Sequence, residues 1–345
     1  MDSLPRGPNY SELCKLWLER ARTLPLSLVL NGSLKLEQSV QDLLAQYGPQ
    51  LIALTLYVSC SGLESPQVIW EREPGSLYSL KTLSIEPTDE DAYYGDMREW
   101  LELLRDSPEL SLCALRNVFY HQQGIGGGPL DSLTLTSLEI LRLGGRHANR
   151  AMNLLHNRGS SSAVILRYLT LPALKALTVS ELDIADEEFF SFLHRSSPTL
   201  ELFEMTLPHH HPWRDPLVSR CLGLMPALTA LHLFARPEDG ATINPFLSFV
   251  EVLSTSPEVL PNLREIVFRT DGQITVHYRE LLRMLKFRVR SCPTPLERFT
   301  LRFEDLFTWE YMLDMPTNEV KAALRQMVGD GLTICIGPDE KFLSL

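Results

Sequence analysis

One short pattern of apolar and polar positions is written nine times along the chain. Its clearest copy is LPALKALTV, Leu171 to Val179, and its common core is Leu-x-x-Leu-x-Leu, often with Pro two residues upstream. The other copies are GPQLIALTL from Gly48, LYSLKTLSI from Leu77, SPELSLCAL from Ser107, LTSLEILRL from Leu135, SPTLELFEM from Ser197, MPALTALHL from Met225, LPNLREIVF from Leu260 and TPLERFTL from Thr294. Taking Leu51, Leu80, Leu112, Leu138, Leu174, Leu200, Leu228, Leu263 and Leu296 as first leucines, the steps run from 26 to 36 residues. That is the length of one strand, one helix and two short connections. Within a copy, Leu177 and Val179 alternate with Ala176 and Thr178, the period of a strand with one face buried.

The intervening stretches change period. VQDLLAQY (Val40 to Tyr47), MREWLELLRDS (Met97 to Ser107), DEEFFSFLHRS (Asp186 to Ser196) and NPFLSFVEVLS (Asn244 to Ser254) carry apolar residues at spacings of three and four, which predicts amphipathic helices. Asp186 opens one of them and Asn244-Pro245 another, while the Pro of the next copy is expected to end the helix before it. Strand and helix in steady alternation require crossover connections, so the strands should be parallel neighbours with the helices on one side. A unit of this size cannot bury its apolar face alone and must stack on its neighbours. Helices are wider than strands, so the stack should curve. The expected fold class is therefore an α/β leucine-rich-repeat solenoid, a horseshoe with its parallel sheet on the concave face and its helices on the convex face. No regular Asn follows the last leucine of each copy, so a buried asparagine ladder is not expected, and the unequal steps predict an irregular arc.

The expected organisation is a disordered Pro- and Gly-rich N-terminus over residues 1–10, a repeat array over 11–303 whose first unit is 11–50, and a closing segment over 304–345. In that last segment a helix is expected from about Asn318 to Met327, ended by Gly329 and Gly331, before a short strand from Leu332 to Ile336. Hydrophobic content of 44% suffices for an extended core. No run is long and apolar enough for a membrane span, and the N-terminus lacks the basic-then-apolar order of a secretory signal. Cys14, Cys60, Cys113, Cys221, Cys292 and Cys335 are scattered without a C-x-x-C pair, as in a reduced protein, so an intracellular location, cytoplasmic or nuclear, is expected. A net charge of −11 argues against nucleic acid as partner.

Several stretches invite chemistry and lack its context. GIGGGP, Gly124 to Pro129, has neither the Lys and hydroxyl of a phosphate loop nor a following helix, and Pro129 removes an amide. His209, His210 and His211 cannot all face one ion from a regular element, and no Cys or carboxylate lies at a ligand spacing. Trp213 and Arg214 beside them are of the types enriched at interface hot spots. Asp89, Glu90, Asp91 and Asp96 lack the order of a calcium loop. Ser160 to Ser162 have no G-x-S-x-G context and no predictable His and Asp partners. No catalytic residue, cofactor or metal site is expected, and the protein is not expected to be an enzyme.

The residues that alternate with the buried leucines form the more informative set. Among them Tyr57, Glu86, Arg116, Arg142, Glu204, His232, Phe234, Arg269 and Arg302 are expected to share the open concave surface and to bind a protein partner. His232, Phe234, Arg269 and Arg302 mix aromatic and guanidinium groups suited to an acidic or phosphorylated peptide.

The opening phrase SELCKLWLERARTLPLSLVLNG, Ser11 to Gly32, places Trp17, Leu18 and Arg20 on a helix that runs into a strand carrying Pro25, Leu26, Leu28 and Leu30. It resembles the first unit of the leucine-rich region in fungal F-box proteins of the basidiomycete type, with Ala21 and Arg22 standing where that family often has Ser and Gly. The likeness continues through the units to about Phe303. It implies a substrate-recognition region of a ubiquitin-ligase receptor. Family members carry a helical F-box before this phrase, which docks on the adaptor of a cullin-RING ligase. Few residues precede Ser11, so the box is expected to be absent from this chain and the adaptor to be a partner only if an F-box lies upstream. The alternative is a leucine-rich scaffold unrelated to ubiquitin, or a decayed paralogue without ligase linkage.

Overall fold

A computed structural model describes residues 10–33, 46–59, 77–87, 93–116, 118–121, 130–144, 159–160, 162–180, 186–207, 215–235, 246–270, 276–303 and 316–338. The chain divides into two compact units, Met1–Tyr168 and Leu169–Leu345.

Unit 1 starts with helix α1 (Tyr10–Ala21) and strand β1 (Leu26–Ser33). There follow β2 (Leu51–Ser59), β3 (Thr82–Pro87), β4 (Tyr93–Gly95), helix α2 (Met97–Arg105), β5 (Leu112–Leu115), β6 (Val118–His121), β7 (Leu133–Thr134), β8 (Ile140–Leu143) and β9 (Gly159–Ser160). Five of these, β1, β2, β3, β5 and β8, pair in that order as parallel neighbours. Outside that sheet β6 pairs parallel with β4 and antiparallel with β9, an addition that the repeat pattern does not predict.

Unit 2 contains β10 (Leu169–Thr170), β11 (Ala176–Val179), α3 (Asp186–Ser196), β12 (Leu202–Leu207), α4 (Asp215–Gly223), β13 (Ala230–Ala235), α5 (Leu247–Leu253), β14 (Glu265–Thr270), α6 (Tyr278–Arg290), β15 (Arg298–Phe303), α7 (Asn318–Gly329) and β16 (Thr333–Pro338). Strands β11 to β16 pair parallel in sequence order, with a helix in every interval. This is the unit of strand, helical crossover and parallel strand repeated five times.

Five of the leucine phrases fold through the same local device. An i to i+3 turn closes from Leu80 N to Leu77 O, Leu110 N to Ser107 O, Leu174 N to Leu171 O, Leu228 N to Met225 O and Leu263 N to Leu260 O. The recurring proline (Pro108, Pro172, Pro226, Pro261) sits at the second turn position, where its fixed φ fits and no amide is needed. The proline thus builds the turn rather than merely stopping a helix. In the third phrase the turn and the register place Leu110, Cys113 and Leu115 where Leu80, Leu83 and Ile85 stand. Leu110 is therefore the first leucine of that copy, not Leu112, which pairs with Thr82 on the other face.

No asparagine ladder is needed, because the backbone supplies one. Lys81 O accepts from both Ser111 N and Leu112 N, Ser111 O from Glu139 N and Ile140 N, Lys175 O from Glu201 N and Leu202 N, and Thr229 O from Arg264 N and Glu265 N. Hydroxyls reinforce the same line: Ser111 Oγ donates to Lys81 O and Thr229 Oγ1 to Glu201 O, each at 3.0 Å.

The cores are stacked rows. In unit 1 Leu54, Leu83, Cys113 and Leu141 are in register, as are Leu56, Ile85, Leu115 and Leu143, all at 4% exposure or less. Burial pushes the Cys113 thiol up to about 12. Unit 2 is richer in rings: Phe246 stacks on Phe268 at 4.6 Å, Phe268 meets Phe299 edge-on at 5.8 Å, and Phe189 stacks on Phe203 at 5.9 Å.

The helix boundaries follow local chemistry. Asp96, part of the acidic loop in sequence, is the N-cap of α2 and accepts from Arg98 N at 2.8 Å. Thr317 caps α7 in the same way, and Gly331 at φ 105° ends it. Helix α5 starts at Leu247 with no side-chain cap, while Asn244 and Pro245 lie outside the described residues.

Two helices, α4 and α6, were not singled out by periodicity. In α6 the buried stripe is Tyr278, Leu281, Met284, Leu285 and Arg288, so an arginine occupies a core position of the pattern. Arg288, 1% exposed, donates to Leu253 O at 2.9 Å, Val259 O at 2.8 Å and Leu260 O at 3.2 Å. Its guanidinium satisfies carbonyls at the end of α5 and in the turn beyond, where Leu260 holds φ 53°.

In α1 Leu18 is buried, while Leu16 and Trp17 of the opening phrase are 52% and 61% exposed. The following strand lies at the edge of unit 1, so Leu28 and Leu30 are only half-buried.

Candidate functional site

The strands alternate, so the face opposite the core carries every second residue in aligned rows. In unit 1 the middle row is Val29, Thr55, Ser84, Ala114 and Arg142. The next row holds Tyr57 and Glu86 in register, and Arg116 follows them, its amide bonded to Ile85 O at 2.9 Å. Glu86 is occupied from two sides: Ser84 Oγ donates to it at 3.1 Å and Arg116 Nη1 at 3.5 Å. This row is thus neutralised internally. Tyr57 is exposed at its edge and Arg142 stands exposed one row away.

In unit 2 the face has three rows across β12 to β15. The first runs Leu202, Ala230, Glu265, Arg298; the second Glu204, His232, Val267, Thr300; the third Thr206, Phe234, Arg269, Arg302. Strand β16 continues them with Thr333, Cys335 and Gly337. Glu204, His232, Phe234, Arg269 and Arg302 therefore do lie on one surface of this unit. Val267, between His232 and Thr300 in the second row, is 5% exposed.

The charges in unit 2 separate along the strands. Glu265 lies 3.9 Å from His232 Nε2 and 3.6 Å from Arg298 Nη1, so the carboxylates and their partners gather in the first two rows. The third row carries two guanidinium groups and no carboxylate. Arg269 makes no hydrogen bond or ion pair with any described residue, and its Nε is shielded from solvent without an acceptor. His232 Nε2 is likewise shielded without a hydrogen bond. Burial holds His232 below its ordinary value, with Arg269 adding to that and the carboxylates of Glu265 and Glu204 opposing it.

The outer side of unit 2 is tied by helix-to-helix contacts. Arg220 of α4 grips Glu187 of α3 through two bonds of 2.7 and 3.2 Å and lies over the Phe190 ring at 4.1 Å. These contacts hold Glu187 below and Arg220 above their usual ranges, the mutual hydrogen bond being the first cause in both.

The other sequence candidates give little chemistry. Gly124 to Pro129, His209 to Arg214 and Asp89 to Asp91 lie outside the described residues. Among the described residues no three His, Cys, Asp or Glu side chains converge in a way that could hold a metal ion, and no helix is long and apolar enough to cross a membrane. A void of about 20 Å³ between α5, α6 and the sheet is lined by Phe246, Val250, Phe268 and Leu301 and is a packing defect of the core. An open cleft of about 550 Å³ is lined by Pro257, Glu258, Pro261, Arg290, Cys292 and Pro293.

Sequence reasoning placed the face residues by alternation. It missed the buried Arg288, whose signal was the spacing of 278, 281, 284, 285 and 288, and the separation of charge between rows, which needs the strand register. No family model matches the chain, and no curated protein shows significant similarity to it.

Proposed function

We propose that the chain is a non-enzymatic, protein-binding scaffold of leucine-rich repeats, a horseshoe whose strands line its concave side and whose open face receives a partner. The observation that carries this reading is the uniform rung. Turn, strand and core row repeat while the opposite face is free to vary, and what varies there is charge and aromatic character rather than packing. A stack of this kind offers a wide surface held by rigid strands, the usual basis of binding in repeat proteins. The array is assigned to residues 11–303, with 304–345 closing its end, in an intracellular protein.

The opening phrase around Trp17, Leu18 and Arg20 supports a narrower reading, the substrate-recognition region of a fungal F-box type ubiquitin-ligase receptor. In that reading a partner bound on the face is a substrate.

The test is affinity capture from extract with the wild-type chain and with an Arg269→Glu/Arg302→Glu variant, read by quantitative mass spectrometry. The expected result is a protein set retained by the wild type and lost by the variant at unchanged melting temperature. Equal retention by both chains rejects the open face of unit 2 as the binding surface.

A further inference from the structure

Helix α6 carries two stripes, one buried and one basic. Its 13 residues, YRELLRMLKFRVR, hold five basic side chains and one carboxylate, in a chain whose net charge is −11. Arg288 belongs to the buried stripe with Tyr278, Leu281, Met284 and Leu285. The other four, Arg279, Arg283, Lys286 and Arg290, follow one another at steps of four, three and four, and all are exposed. At about 100° per residue they fall within about 60° of arc, on the side of the helix opposite the buried stripe. We propose that this stripe is a docking surface for an acidic polypeptide segment, separate from the open face of the sheet.

Two ordinary reasons for basic residues on a helix do not account for it. Cations in the last turn complement the helix dipole, which suits Arg290, but Arg279 stands in the first turn, at the positive end. Exposed helix charges also pair with carboxylates, as Arg220 of α4 does with Glu187 of α3 on the same outer side of unit 2. Among the described residues none of the four side chains of the stripe makes a hydrogen bond or an ion pair. Like charges three and four residues apart repel, so the stripe works against the helix that carries it. A partner that supplies the missing carboxylates relieves that repulsion.

The dimensions of the stripe choose between anions. From Arg279 to Arg290 it runs roughly 16 Å along the axis and is one helix wide. Helix α5 on one side has Glu251 and no basic residue, and α7 on the other sets Lys321 and Arg325 against Glu319 and Asp330. A nucleic-acid backbone or an anionic bilayer reaches past so narrow a strip onto a molecule that is acidic overall, where repulsion opposes it. The strip also exposes no apolar side chain to anchor in a bilayer. An acidic segment can end where the stripe ends. Three of the four cations are arginines, whose planar forks take a carboxylate through two parallel hydrogen bonds.

The experiment uses the full chain and fluorescein-labelled peptide pools with Glu at four positions spaced by four, three and four, all other positions being random among uncharged residues. A twin pool has Gln at those four positions. Fluorescence anisotropy is expected to show the Glu pool bound about tenfold or more tighter than its twin at about 50 mM salt, with most of that gain lost at about 300 mM. The variant Arg279→Gln/Arg283→Gln/Lys286→Gln/Arg290→Gln should remove the difference and melt at the wild-type temperature or above, because the repulsion is gone. Arg279→Lys/Arg283→Lys/Arg290→Lys keeps the charge and should keep most of the binding. Lys15→Gln/Arg20→Gln/Arg105→Gln/Arg142→Gln removes the same charge from exposed positions of unit 1 and should leave binding intact.

Equal affinity for the two pools overturns the surface, as does equal loss in the unit 1 variant. A lower melting temperature in the Gln variant of α6 would mean that the stripe serves the fold, and that too overturns it. So does equally tight binding, through the same four residues, of a single-stranded oligonucleotide or of phosphatidylserine vesicles. The Arg269→Glu/Arg302→Glu variant should bind the Glu pool as the wild type does. A failure of the open face in extract capture therefore leaves this surface standing, and loss of the Glu pool in that variant would move the acidic site to the open face and reject α6.

Discussion

In unit 1 the outer row of the open face sets Arg116 against Glu86 at 3.5 Å, whereas in unit 2 the equivalent row sets Arg269 beside Arg302 with no carboxylate in it. Both rows come from the same position of the same phrase, the residue after the third core apolar. The difference shows that the rung constrains only its buried side. On the open side, the register decides which charges become neighbours: one row pairs a carboxylate with a guanidinium, and the other sets two guanidinium groups side by side. The cores differ too. Unit 1 stacks aliphatic side chains around Cys113, while unit 2 stacks phenylalanines and buries Arg288 against three carbonyls.

The largest expected contrast is in thiol chemistry. With its pKa pushed up to about 12, Cys113 has a thiolate fraction of roughly one in ten thousand at pH 8, and it is fully enclosed. Alkylation of the native protein followed by peptide mass spectrometry should modify the half-buried Cys292 and Cys335 of unit 2 and spare Cys113 until denaturant is added. Labelling of Cys113 at the same rate would mean that the core of unit 1 opens freely.

Next comes Arg288→Ala, which strands the carbonyls of Leu253, Val259 and Leu260 and should cost about 3–5 kcal/mol in urea unfolding. A cost under about 1 kcal/mol would show that water replaces the guanidinium without penalty.

A smaller effect separates the two open faces. Arg116→Leu gives up an exposed ion pair and should lose no more than about 1 kcal/mol. Arg269→Leu removes a shielded, unpaired charge and should leave the urea midpoint unchanged or raise it. A clear loss at Arg269 would erase the distinction between the two rows.

The smallest effect is the pH response of His232. Its folded value is held below 6.5 by burial, so the unfolded chain takes up the proton first as pH falls. The stability that this histidine contributes is complete above 6.5 and declines as pH drops toward the lower folded value. His232→Gln should flatten that part of the stability curve measured by denaturant titration, and an unchanged slope would assign the pH response to other groups.

Much of this molecule is legible as period. Alternation within LPALKALTV and its copies named the core strands and their open-face residues, and spacings of three and four named α2 and α3, the latter at Asp186–Ser196 as expected. Periodicity was weaker where a polar residue took a core place. Arg288 disguised α6, and a phrase with two overlapping leucine frames made Leu112 look like Leu110. The resemblance in the opening phrase rests on Trp17, yet the fold leaves that ring exposed, so its reason for being there is not packing within the described residues.

What the sequence determined by itself is the repeated rung, because burial of every second apolar side chain is a local consequence of strand geometry. Only the tertiary structure decided which residues of different rungs meet, since that depends on register between strands separated by about thirty residues. That register places Glu86 against Arg116 and Arg269 against Arg302, and turns a shared phrase into two different surfaces.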